Sequence, residues 1–169
     1  MRALETARLA LTRLSARDAE FIHGQLNEPS FLRFIGDRGV HSVEDAHRYI
    51  NDGPIAMYAR YGFCLLRVGL KGDDTPIGIC GVLKRDSLPD PDLGFSLLPD
   101  YWSKGYAFEA ASAVMHEAHG ALGLRRIVAI TSQDNESSIS LLGKLGFRFE
   151  RLVRLGEGTE ELRLFASEP

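Results

Sequence analysis

The chain is short of the residues that define several protein classes. Only 2 of its 169 residues are cysteine, too few for a disulfide scaffold, so Cys64 and Cys80 are expected to be reduced core thiols. It lacks any excess of positive charge: 20 Lys+Arg stand against 23 Asp+Glu, a formal net charge of -3. No whole-molecule field is therefore available to wrap a polyanion, and direct nucleic-acid binding is not expected. A phosphate site confined to one turn stays compatible with that balance. Long apolar runs are missing too, since no stretch approaches the roughly 20 residues that cross a bilayer. Charged residues interrupt the opening Met1–Leu14 segment, which has no apolar signal-peptide core. These absences point to a cytoplasmic protein without membrane contact. What is present, 44% hydrophobic and 25% charged residues, excludes global disorder. A chain of this size buries roughly 69% of its extended surface on folding, enough for one core, and residues 1–169 are expected to form one domain.

The apolar spacing predicts a β-α-α-β-β-β-α-β-α-β-β order. Leu9 and Leu11 open the first strand, and Ser15 with Asp18 has the spacing of a capping box before the helix that carries Ile22 and Leu26. A second box, Ser42 with Asp45, starts a helix through Ile50, which the Asn51–Pro54 run is expected to interrupt or end. Residues 63–70 and 76–84 read as antiparallel strands, and residues 93–98 as the next strand. A long helix follows over 104–122, with Phe108, Ala111, Met115, Ala118 and Leu122 at helical spacing. A strand at 126–131, a short helix at 135–145 and a hairpin across Gly156–Gly158 complete the order. The result is a mixed α/β (α+β) sheet with flanking helices.

The most informative segment runs from Asp92 to Glu109. A strand enters a turn, and Gly105-Tyr106-Ala107 opens a long helix. Helix N-termini present unpaired N–H groups and a favourable dipole for an anion. Gly105 permits close backbone approach, and Lys104 adds positive charge. A plain turn accounts for the glycine equally well. The segment matches neither the Gly-Lys-Ser/Thr nucleotide loop nor the dinucleotide glycine pattern.

The stretch Leu93-Gly-Phe-Ser-Leu-Leu-Pro-Asp-Tyr-Trp-Ser-Lys-Gly-Tyr-Ala-Phe-Glu-Ala-Ala111 resembles the acetyl-CoA-binding core of the GNAT N-acetyltransferases. More narrowly, this stretch and the blocks Leu4–Leu14 and Asp134–Phe147 resemble the branch holding the bacterial ribosomal-protein N-terminal acetyltransferases. The three blocks stand in the family's order. The resemblance implies a GNAT fold: a mixed, mostly antiparallel, twisted sheet of about seven strands with splayed central strands. It implies that the pantetheine arm of acetyl-CoA enters the splay, bonded to backbone near Leu97 and Leu98. The N–H groups of Ser103, Lys104, Gly105, Tyr106 and Ala107 would hold the pyrophosphate, with Trp102 beside them where the family more often has Gln or Arg. Asn135 would contact the cofactor's amide portion, and Ser138 would lie near the thioester sulfur. Many relatives carry a tyrosine general acid where this chain has Leu142. Either Ser138 or an ordered water then protonates the departing thiolate, or that step needs little help, because a thiol with a pKa of about 8.5 leaves readily.

Acetyl transfer also needs a neutral amine and a polarised carbonyl. Asp92, ahead of the central strand, is the leading base candidate; a capping role at the surface is its alternative. His41 is a further candidate that also fits a plain helix-cap position. Glu109, in the first turns of the long helix, reads as structural. His116 and His119 lack the His-Glu-x-x-His pattern and a third ligand, so no metal is expected. Phe31, Phe34 and Ser96 are the candidate acceptor-binding residues, with Ile35, Met57 and Tyr58 beside them; ordinary packing is the competing role for the apolar ones. The expected activity is acetyl transfer from acetyl-CoA to a primary amine by direct attack, the acceptor being a peptide or protein N-terminus. An amino acid, polyamine or antibiotic acceptor is the alternative within that class, and a noncatalytic acyl-CoA-binding protein the alternative outside it. A monomer or homodimer is expected.

Overall fold

A computed structural model describes residues 1–169, and in it the alternating apolar runs pair into one eight-stranded sheet. The strands are β1 (Leu4–Glu5), β2 (Leu9–Arg13), β3 (Leu65–Leu70), β4 (Pro76–Leu83), β5 (Asp92–Leu97), β6 (Ile127–Ser132), β7 (Arg148–Val153) and β8 (Leu162–Ser167). Their order is β1-β2-β3-β4-β5-β6-β8-β7. Every neighbouring pair is antiparallel except β5–β6. The strand beyond the expected seven or so is β1, which pairs Leu4 with Leu11 and Glu5 with Ala10. Two residues are too few to display a period of two, so only its pairing reveals it.

Helices α1 (Ala19–Leu26), α2 (Pro29–Phe34), α3 (Val43–Ile50) and α4 (Ala56–Tyr61) fall between β2 and β3. Helix α5 (Tyr106–His119) links β5 to β6, and α6 (Glu136–Lys144) links β6 to β7. The caps anticipated from sequence form with one change of partner. Asp18 accepts from the Ser15 N–H at 2.7 Å, whereas Asp45 reaches past Ser42 to the His41 N–H at 3.0 Å. Ser42 in turn caps α3 by accepting from the Asp45 N–H at 3.0 Å. The Asn51–Pro54 run interrupts the α-helix without ending the helical path. A π-helical turn over Asn51–Ile55 absorbs Pro54 and leads straight into α4. A wider turn accommodates the N–H that proline lacks, so the chain bulges instead of breaking.

Two cores lie on opposite faces of the sheet. The larger joins Leu66, Val68, Cys80, Val82, Leu93 and Leu97 to Ala110, Ala111, Val114 and Met115 of α5 and Leu142 of α6. The smaller joins Leu65 and Ile79 to Ile22, Leu26, Phe31, Ala46 and Ile50 of α1–α3. Along β5, then, Leu93, Phe95 and Leu97 face α5, and the alternate residues Asp92, Gly94 and Ser96 face α1. No helix is long and apolar enough to cross a membrane.

Candidate active site

The sheet opens at its one parallel junction. Strands β5 and β6 share a single register pair, Asp92 opposite Val128, closed by the Val128 N–H donating to the Pro91 carbonyl at 2.9 Å. Beyond that vertex the two strands diverge, and a cavity of about 1590 Å³ occupies the gap. Thirteen of the candidate site residues from the sequence meet on its walls, Ile35 among them. They include Phe31 and Phe34 from α2, Asp92, Ser96 and Leu97 from β5, and Trp102, Ser103, Gly105, Tyr106 and Ala107 from the turn into α5. Asn135 and Ser138 close the far side at the start of α6.

Two residues fall outside that wall. The Leu98 N–H donates to the Ile77 carbonyl at 2.8 Å, so β4 already holds it. That bond sets the alternation of the β4–β5 ladder and turns the N–H and C=O groups of Phe95 and Leu97 toward the gap. Leu97 is thus the open N–H of the two residues named, and Phe95 joins it. The Leu97 carbonyl accepts from the Trp102 indole N–H at 2.8 Å, which pins a ring that is otherwise 47% exposed. Lys104 is the second residue off the wall: its Nζ lies 5.9 Å from the ring centroid of Tyr101, and its carbonyl accepts from Arg8 at 3.0 Å.

The turn before α5 has the backbone of an anion cradle. Ser103 sits at φ 57° and Gly105 at φ 82°, so left-handed residues flank Lys104. The first i→i−4 bond of α5 runs from the Glu109 N–H to the Gly105 carbonyl, leaving the N–H groups of Tyr106, Ala107 and Phe108 free of helical partners. A left-handed serine costs about 1 kcal/mol or more, so the surrounding contacts must hold it. Arg8 supplies the hold, a role invisible in the sequence. Its Nε reaches Glu109 at 2.7 Å, its Nη1 reaches the Lys104 carbonyl, and its guanidinium lies 4.3 Å from the Tyr106 ring centroid. A Cβ on Gly105 would sit 3.2 Å from the Arg8 Nη2. Glu109 also accepts from the Thr6 hydroxyl at 2.5 Å and the Arg8 N–H at 2.8 Å. Burial alone would raise its pKa, but these bonds prevail and lower it. Glu109 is a structural clamp.

At the vertex, Asp92 has no solvent exposure, and Arg85 Nε bonds both its oxygens at 3.1 and 3.0 Å. Burial raises its pKa above the usual aspartate value, with Arg85 pulling the other way. The carboxylate is a buried wall residue, not a surface cap. Near the mouth, Asn135 caps α6 by accepting from the Ser138 N–H at 3.3 Å, so its side-chain carbonyl is occupied and its amide N–H groups are not. Leu142 is fully buried core, and Ser138 lies one turn before it on the same helix face. Two wall hydroxyls that sequence reading passed over, Thr131 and Ser132 of β6, are buried without partners. Orphaned hydroxyls in a cavity wall are groups that a bound polar chain satisfies.

The remaining candidates lie apart from the cavity or fail chemically. His41 is exposed and pairs with Asp37 at 3.4 Å. Burial pushes the Cys80 thiol up to about 12 and raises Cys64 as well, so neither is an activated thiolate. The His119 Nδ1 is engaged with the Leu124 carbonyl at 2.7 Å, and no group of three or more His, Cys, Asp or Glu is placed to hold a metal. Met57 lines a second cavity beside the first, whereas Tyr58 packs under Arg13.

Comparison with known proteins agrees with this geometry. Residues 8–148 match the acetyltransferase (GNAT) domain model. YoaA of Bacillus subtilis (strain 168), described as an uncharacterized N-acetyltransferase, is 32% identical over 155 residues, covering 89% of this chain and 85% of the relative. An acetyltransferase structure from Agrobacterium tumefaciens superposes with a TM-score of 0.86 at 22% identity, covering 100% of this chain and 95% of the other. The ribosomal-protein-S5-alanine acetyltransferase of Vibrio fischeri superposes at 0.81 with 19% identity, covering 98% and 96%.

Proposed function

This chain belongs to the GNAT acetyltransferase family, and we propose that it transfers an acetyl group from acetyl-CoA to a primary α-amine by direct attack in a ternary complex. The observation that carries this reading is the single β5–β6 register pair. It places a cradle of free N–H groups at the mouth of one continuous cavity and a buried carboxylate at the vertex. The residues present fit acetyl-CoA. Free N–H groups of α5 and the left-handed Ser103 and Gly105 suit its pyrophosphate. Phe95 and Leu97, the unoccupied Asn135 amide and the orphaned Thr131 hydroxyl suit the pantetheine arm.

The chemistry then falls to few side chains. Leu97 N–H, aimed into the gap, polarises the thioester carbonyl. Asp92, at the other end of β5 from Leu97, takes the proton that the attacking nitrogen must lose through intervening water, and its raised pKa brings it closer to the useful range for a base. Nitrogen–carbon bond formation breaks the carbon–sulfur bond, and the departing thiolate takes a proton from water through the Ser138 hydroxyl, which gives one proton to sulfur as it receives another, in place of the hydroxyl missing at Leu142. Direct attack is favoured because neither cysteine is activated. A peptide or protein N-terminus, with a pKa of about 7.7–8.0, needs less help to become neutral than a lysine near 10.4. Its fit to the Vibrio fischeri fold is consistent with that choice.

Mass spectrometry after incubation with acetyl-CoA and a mixed panel of peptides and small amines tests the reading. Stoichiometric acetylated amine and free CoA are expected. Tight acetyl-CoA binding with no acetylated product across the panel would establish a noncatalytic binding protein instead.

A further inference from the structure

The acceptor side of the splay holds a guanidinium to which no protein group is bonded. A second cavity, of about 530 Å³, lies on the α1–α3 face and shares Phe31, Arg38, Arg85 and Ser96 with the larger one. Its volume is that of a small-molecule site. Four cations line it. Lys84 Nζ donates to the carbonyls of Arg85 at 2.8 Å and Leu88 at 2.5 Å. Arg85 is bound to Asp92 at 3.0 Å, and Arg60 lies 5.0 Å from the Tyr61 ring centroid. Arg38, exposed to solvent on one side, alone makes no hydrogen bond, ion pair or aromatic contact, although it lies within electrostatic reach of Arg85, Tyr49 and Asp92. The acidic residues of this cavity, Asp52 and Asp86, are solvent-exposed. At the junction of the two cavities, two guanidinium groups share one buried carboxylate.

A second donor converges there. Gln25 is 1% exposed, and its Nε2 donates to the Ser96 Oγ at 2.9 Å. Ser96 therefore keeps its own proton for a ligand oxygen, since its hydroxyl already accepts from the protein side. The Gln25 Oε1 is left buried without a partner, a cost borne by a residue that fixes this hydroxyl. A guanidinium fork and a held hydroxyl suit a planar or tetrahedral oxyanion, and an uncharged ligand would leave the fork to water.

We propose that the amine acceptor carries a carboxylate or phosphate group close to its nucleophilic nitrogen, bound by Arg38 with Ser96 as second donor. This rests on the acetyl-transfer reading above and narrows its substrate class. The anion would set the amine between Arg38 and the Asp92 base.

The test uses amine pairs that differ only in that charge: a free α-amino acid against its carboxamide, phosphoethanolamine against ethanolamine, and an amidated peptide with Asp at its second position against the Asn version. In the wild-type protein, kcat/KM for the charged member of at least one pair should exceed that of its neutral partner by about 10- to 100-fold. The favoured pair identifies the source of the anion. Arg38→Gln should abolish that preference, Arg38→Lys should restore part of it, and acetyl-CoA affinity should hold in both. Equal use of both members in every pair, or a preference that survives Arg38→Gln, would overturn the proposal. If no amine is acetylated, calorimetric titration of CoA-saturated protein with the same pairs separates the two readings. Charge-selective binding lost in Arg38→Gln then supports the anion site while the transfer reading fails; charge-blind binding, or none, overturns both.

Discussion

A carboxylate sealed from water is costly to ionise, and Asp92 bears that cost with only Arg85 bonded to it. The sign of the resulting pH dependence follows from its raised pKa. The native state holds this proton more tightly than the unfolded chain, so stability falls as pH rises from the ordinary aspartate value through the native one. Asp92→Asn removes that slope, which chemical denaturation across pH 4 to 7 would reveal. An unchanged slope would mean the group titrates normally. The same substitution should lower kcat/KM at neutral pH by about 100- to 10,000-fold, the range of a lost general base. The deficit should shrink above the acceptor's own pKa, where the amine is already neutral. Ser138 makes a different demand. Ser138→Ala keeps the backbone N–H that Asn135 caps, so it should reduce kcat with little change in the acetyl-CoA KM. A normal kcat would remove Ser138 as the proton donor.

At the scale of elements, the turn into α5 depends on a clamp from the other end of the chain. Arg8 and Glu109 are 101 positions apart, and their pairing fixes the backbone that precedes the helix. Their partly exposed pair is worth about 1 kcal/mol, so Arg8→Ala should lower Tm by about 2–4 °C. Loosening the cradle should also raise the acetyl-CoA KM by more than so small a stability loss implies. A Tm shift with an unaltered KM would leave the clamp a stability device only. Local pattern reveals α5 and Gly105 but not this clamp, because no sequence period links residues so far apart. The pattern also misplaces one residue. Phe108 falls on the spacing of the apolar stripe yet is 43% exposed, while the buried stripe is Ala110, Ala111, Val114, Met115 and Ala118. Alanine barely registers as hydrophobic, so an Ala-built face is underweighted beside one large phenylalanine. Helix α2 is invisible for a related reason: the six residues from Pro29 to Phe34 show less than two turns of any period.

Across the whole molecule, the sheet is most legible where its neighbours are close in sequence, as in β3–β4 and β4–β5. It is least legible where they are distant, as in β8 inserting between β6 and β7. The site divides in the same way. Residues 92–107 and 135–138 are contiguous motifs and could be read directly, whereas Arg8, Arg38, Gln25 and Thr131 acquire meaning only from what folding places beside them. That folding runs the larger cavity through the splay and sets the smaller beside it on the α1–α3 face, joined through Ser96, Arg38 and Arg85. Such a layout lets both substrates be present together and removes any need to park the acetyl group on the protein. Initial rates with both substrates varied should therefore give intersecting reciprocal plots. Intact-mass analysis after incubation with acetyl-CoA alone should show no added acetyl group. Parallel lines with an acetylated Ser or Cys would establish a covalent route, and would require a thiol such as Cys80, held near pKa 12 by its burial, to become reactive during turnover.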